Sequence, residues 1–234
     1  MSRGLGDVYK RQVGDNPSLL SFENAVTLFH EFGHAMHGIL TNVTYGSMAG
    51  TSGPRDFIEL PSQLLEHWVS EPEVLKSFAV HYQTGESIPD ELVEKLLKAA
   101  KFNQGFINTE YLAASLLDMD WHTLTKSDIL SNSNDFEKKS LKKIGLIDEI
   151  APRYRSTYFA HIFSGGYSSG YYSYIHAAVL DSDAFEAFKE IGNVFDSNLS
   201  SRLRKEIYEK GSTEEAMDLY VNFRGRKPVS YTHL

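Results

Sequence analysis

No cysteine occurs anywhere in the 234 residues. That excludes disulfides and thiolate metal sites, so any transition metal must be held by histidine, aspartate or glutamate. Positive charge is also scarce: 23 Lys and Arg face 31 Asp and Glu, for a formal net charge of −8. With no basic stripe, neither nucleic acid nor an anionic membrane is an expected partner. No apolar run approaches the roughly 18 residues that cross a bilayer. The opening MSRGLGDVYKRQ carries charge with no hydrophobic segment behind it, so it does not read as a signal peptide. A chain without cysteine suits a reducing compartment. The expected location is the cytoplasm, with the periplasm as the alternative.

What is present is enough for a core: 41% of residues are hydrophobic and 12% aromatic, over a length that suits one large domain or two small ones. Residues 1–12 and 228–234 share no pattern with their neighbours; the first are expected to be a non-native or disordered end and the last a non-native tail, leaving 13–227 as the folded region. From Ser21 to Thr41 the residues Phe22, Val26, Phe29, Phe32 (or Gly33) and Met36 recur at helical spacing, with Ser21 as N-cap. This apolar stripe is expected to anchor the helix in the core. Residues 41–54 read as a Gly/Ser/Thr-rich loop with at most one short strand. A helix follows over 54–69, with a kink or restart expected at Pro61. More helices are expected at about 71–83, 90–101, 103–124, 134–144, from 170 onward, 197–210 and 213–224. No β alternation stands out, and the fold class is mainly α.

The chemistry concentrates in LFHEFGHAMHGIL, residues 28–40. Positions four apart on a helix are turned by about 400°, so His30 and His34 stack on one face about 6 Å apart and can serve one ion. Glu31, one step round, is placed to act on a water rather than to ligate. This is the mechanical content of H-E-x-x-H: two zinc ligands and a general base on one rigid element. His37 shares the face, but two helical turns put it about 10 Å from His30, too far for a shared metal. It reads as a residue that supports the ligands from outside the donor set, or as a structural one. The H-E-x-x-H-x-x-G-x-x-H pattern is excluded, because its glycine position holds His37 and its last histidine position holds Leu40. A third ligand must come from elsewhere. GPRDFIELPSQLLEHW, residues 53–68, offers Asp56, Glu59 and Glu66, and spacing does not choose among them. Glu59 has the most apolar neighbours, and a buried carboxylate there would need a cation or other partner.

HEFGHAMHG, GTSGPRDFIELPSQLLEHW and FAHIFSGGYSSGYYSYIHAAVL together resemble the thimet oligopeptidase family of zinc metallopeptidases. PRDFIELPSQ, LLDMDWH and APRYRSTYFAHIF are most similar to its bacterial peptidyl-dipeptidase (dipeptidyl carboxypeptidase) branch. The resemblance implies a multi-helix zincin-type catalytic domain over residues 13–227 that binds one Zn2+ through His30, His34 and Glu59, with Glu31 as base. It also implies that His161, Tyr167, Tyr171 and Tyr174 bind substrate and steady the transition state. Gly165 and Gly166 would let the backbone approach a peptide closely. Tyr172 reads as a core tyrosine. Short peptides are the implied substrates, cleaved to release C-terminal dipeptides, and Arg153 and Arg155 are candidates to hold the terminal carboxylate. The alternatives are an endo-oligopeptidase of the same family and a non-catalytic zinc-binding helical fragment. Family members are much longer upstream of the zinc motif, so the chain is expected to be the C-terminal catalytic portion, partnered by an N-terminal portion of the same enzyme.

Overall fold

The computed structural model describes residues 18–128 and 132–229. The expected end segment 1–12 lies outside the described residues, as do residues 230–234 of the expected tail. Ten α-helices are described: α1 Phe22–Leu40, α2 Arg55–Ser70, α3 Pro72–Phe78, α4 Asp90–Ala99, α5 Gln104–His122, α6 Ser133–Lys143, α7 Ala160–Phe163, α8 Ser173–Ile191, α9 Ser197–Leu203 and α10 Ala216–Arg224. Among the described residues β pairing is limited to one bridge, between Val80 and Ser87. The protein is mainly α. No helix among the described residues is long and apolar enough to cross a membrane. The chain divides into two compact units, one made of Met1–Leu97 with Ala177–Leu234 and the other of Lys98–His176.

In the first unit, α1 starts where the Ser21 side chain accepts the Asn24 N–H, with Glu23 in the positive first turn. The loop after α1 forms two 3-10 turns, Gly46–Met48 and Gly50–Ser52, rather than a strand. The Thr41 hydroxyl fixes the second turn by accepting the Gly50 N–H at 2.9 Å. Pro61 lies inside α2, which runs through it without a break. Its neighbourhood explains why that position matters. A Cβ built on Gly33 of α1 would lie 2.5 Å from the Pro61 carbonyl oxygen and 2.5 Å from the Ser62 Cα. Both are main-chain atoms that no side-chain rotation can clear, so only glycine lets α1 and α2 approach this closely. Gly33→Ala is expected to cost about 1–3 kcal/mol through overpacking, read as a lowered denaturant midpoint.

The buried face of α1 is therefore narrower than its apolar spacing implies. Gly33 and His37 are buried, and Met36 and Leu40 pack against the core. Phe32, expected to anchor the helix, is 54% exposed and lines an open apolar groove with Leu65, Trp68 and Phe195. The core gathers Phe57, Leu60 and Leu64 of α2, Leu180 and Phe188 of α8, and Phe223 of α10. The helix expected to reach residue 83 stops at Phe78, where the chain folds back and Ile88 N–H donates to the Ala79 carbonyl. After α9 the helix widens to one π turn, Arg204–Tyr208, which seats the buried Tyr208 beneath His37.

In the second unit, α5 and the segment 154–174 form an aromatic core. Phe159, Ile162 and Tyr171 are buried with Ala114, and Tyr111, Trp121, Tyr154, Tyr167 and Tyr174 pack around them. Asn132 caps α6 by accepting the Asp135 N–H at 2.9 Å.

Candidate metal centre

The close approach at Gly33 sets one turn of α2 directly against the histidine face of α1. Glu59 is 1% exposed, and its Oε2 lies 3.3 Å from Nε2 of both His30 and His34. The two rings meet edge to face, with centroids 4.9 Å apart. One donor atom from each residue falls within 4.8 Å of the others. A tetrahedral ion with bonds of about 2.0–2.1 Å sets neighbouring donors about 3.3–3.4 Å apart. The spacing and chemistry of this N, N, O set fit zinc.

Of the three acids that spacing left open, Asp56 is not in the group, while Glu66 meets His30 from behind. Glu66 Oε1 is 2.6 Å from Nδ1, the ring nitrogen facing away from Glu59. With Nε2 turned to the donor group, Nδ1–H donates to Glu66, which fixes the tautomer and the ring's orientation. Sequence reasoning missed this role. Its signal was available, since Glu66 follows Glu59 by two helical turns and so shares its face. Burial pulls the His30 pKa down, but hydrogen bonds to Glu59 and Glu66 outweigh that and hold it up at about 10. Two carboxylates thus converge on one imidazole, and the site demands positive charge. The Ser62 hydroxyl donates to Glu59 Oε2 at 2.9 Å, and Glu31 is half-buried on α1 beside the two histidines.

His37 stands apart from the donor group. It is 1% exposed and packs edge to face on Tyr208, 5.9 Å between centroids. Burial, with a smaller contribution from His34, lowers its pKa to about 4, so it is a neutral packing residue.

The second unit holds the remaining sequence-derived candidates. The His161 ring lies 6.2 Å from Tyr167, 5.5 Å from Tyr171 and 6.1 Å from Tyr174, and Tyr167 stacks on Tyr174 at 5.3 Å. Gly165 sits against the His161 backbone, where a Cβ would lie 2.9 Å from Cα, and Gly166 takes a left-handed φ of +83°. Tyr172, expected in the core, is not there, and its neighbour Tyr171 is. Tyr171 is 1% exposed within the aromatic core, and burial pushes its hydroxyl pKa up, whereas Tyr172 is 43% exposed. The two arginines part company as well. Arg155 is held by the buried Glu137 at 2.7 Å, while the Arg153 guanidinium lies over the Tyr111 ring at 4.6 Å.

The model of Peptidase family M3 matches residues 8–233. The chain belongs to Peptidase family M3. The M3 chain is 42% identical over 221 residues to the dipeptidyl carboxypeptidase of Escherichia coli (strain K12), covering 94% of this chain and 32% of that protein. It is 37% identical over 221 residues to oligopeptidase A of the same organism, again covering 94% of this chain and 32% of that protein. The thimet-like oligopeptidase of Dictyostelium discoideum is 33% identical over 214 residues, covering 91% of this chain and 31% of that protein. The M3 chain thus spans about a third of the length of these relatives. The family resemblance read from the three sequence segments is the one the comparison returns.

Proposed function

We propose that this chain carries the catalytic zinc centre of a peptidase that hydrolyses short peptides and releases C-terminal dipeptides. The observation that carries the reading is the convergence of His30 Nε2, His34 Nε2 and Glu59 Oε2 at zinc-donor spacing, with Glu31 on the same helix. A zinc ion held by His30, His34 and Glu59 would polarise a peptide carbonyl and bring the pKa of a water towards 7.

The chain's own residues supply the rest. Glu31 takes the proton of the attacking water on its carboxylate and returns it to the departing amine nitrogen. His161, Tyr167 and Tyr174 donate hydrogen bonds to the oxyanion as the carbonyl is attacked. Gly165 and Gly166 leave room for the peptide main chain. Tyr171, buried to its ring, supports these groups by packing. Arg153 is the better candidate for the substrate's terminal carboxylate, because Arg155 is already committed to Glu137.

Release of dipeptides is favoured over internal cleavage by the 42% identity to a dipeptidyl carboxypeptidase against 37% to an oligopeptidase A. The proposed compartment is the cytoplasm, with the periplasm the alternative that a cysteine-free chain also fits. The test is direct. Purified enzyme is expected to hold one zinc per chain and to cleave a quenched-fluorescent peptide. A chelator should abolish cleavage and added zinc restore it, and mass spectrometry should find C-terminal dipeptides as the first products. Cleavage unaffected by the chelator would sink the metal reading, and internal fragments as first products would sink the dipeptidase reading.

A further inference from the structure

A buried carboxylate lies beneath the tyrosine-bearing loop. Asp118 on α5 is fully buried, and each of its oxygens accepts one main-chain N–H of the loop. Ser169 N–H donates to Oδ1 at 2.9 Å, and Tyr171 N–H donates to Oδ2 at 2.9 Å. His122, one helical turn on, brings its Nδ1 to 2.7 Å from Oδ1 and 2.9 Å from the Asp118 carbonyl. As an N–H, that nitrogen donates to both of these oxygens, so α5 holds the carboxylate from the side opposite the two loop amides.

The loop needs such a clamp. Ser169 is in the left-handed region at φ +55°, a conformation a side-chain-bearing residue adopts only when its surroundings impose it. On either side the loop is tied by its own main chain. Tyr167 N–H donates to the His161 carbonyl at 2.9 Å, and Gly170 N–H donates to the Tyr167 carbonyl at 2.8 Å. The two clamped amides, of residues 169 and 171, lie between Tyr167 and Tyr174. The path of the chain between these tyrosines is what sets their rings 5.3 Å apart and stacked at 21°.

We infer that Asp118 is a positioning residue for the reaction: by clamping Ser169 and Tyr171 it aims the hydroxyls of Tyr167 and Tyr174. The inference rests on the reading that those tyrosines serve peptide hydrolysis. It also gives a use to the otherwise unexplained LLDMDWH segment, whose first aspartate is Asp118 and whose final histidine is His122.

Asp118→Asn keeps the shape but turns one acceptor into an NH2 group that faces a main-chain N–H. In the zinc-loaded full-length enzyme, D118N is expected to retain one zinc per chain and a KM within about threefold of wild type. Its kcat should fall about 10- to 100-fold, the scale of a displaced catalytic group. Adding Ser169→Gly removes the left-handed strain and should recover the thermal midpoint without recovering kcat. That double variant also carries the test if D118N alone is poorly folded. In a double-mutant cycle, Tyr167→Phe should cost much less in the D118N background than in wild type, because the hydroxyl is no longer aimed. Three results would overturn the inference: wild-type kcat in D118N, joint recovery of stability and kcat in the double variant, or fully additive losses in the cycle. A wild-type enzyme that cleaves no peptide would instead overturn the functional reading on which the inference rests.

Discussion

Glu31→Gln is expected to leave zinc in place and remove most of the turnover. Glu31 lies between the two histidines on α1 and outside the donor group of His30, His34 and Glu59. The substitution preserves the side chain's size and its capacity to hydrogen-bond, but an amide cannot take up the proton of an attacking water. General-base catalysis by a positioned group is worth about 100- to 10,000-fold, and kcat for a quenched-fluorescent peptide should fall within that range. KM should change little, since Glu31 is assigned no part in holding the peptide. Zinc measured by atomic absorption should stay at one per chain, which separates loss of the base from loss of the metal. Turnover like that of wild type in a zinc-replete E31Q enzyme would refute the assignment.

Half of the candidate metal centre is legible in the sequence because the relation between His30 and His34 is local. A helix repeats its face every three to four residues, and five letters state both the element and the geometry. The third candidate donor depends on tertiary structure. Glu59 and Glu66 share a face of α2, both reach His30, and they differ in which ring nitrogen they meet. That depends on how closely α1 and α2 approach, which Gly33 and the Pro61 carbonyl decide. The same glycine explains Phe32. Periodicity marks an apolar face to within a residue or so, and the close contact at Gly33 turns the buried strip away from Phe32 towards His37. The burial of Tyr171 and Tyr172 is not legible for a different reason. Helical spacing reads from residue 170, but α8 starts only at Ser173, so both tyrosines lie in the turn before it, where helical periodicity does not say which neighbour points inward. The role of Asp118 lies outside any sequence pattern we could read, since its partners are main-chain amides some fifty positions away.

Replacement of Glu59 separates the two glutamates by experiment. Glu59→Gln keeps the volume of a side chain that is 1% exposed and leaves Ser62 a hydrogen-bonding partner, so the fold has no cavity to absorb. What it removes is the anionic oxygen 3.3 Å from both Nε2 atoms. Outer partners of metal-binding histidines typically contribute 10- to 100-fold to metal affinity; loss of a direct ligand should exceed that, raising the zinc Kd by more than about 100-fold. Peptidase activity at limiting zinc should fall in proportion. Glu66→Gln, which disturbs only the Nδ1 side of His30, should stay within the 10- to 100-fold range and recover activity as zinc is added. The ordering of the two variants is the decisive quantity. If E66Q loses zinc more completely than E59Q, the third ligand is Glu66 and the ring of His30 is turned over. If E59Q binds zinc as tightly as wild type, the convergence of the three donors is only a buried hydrogen-bond cluster.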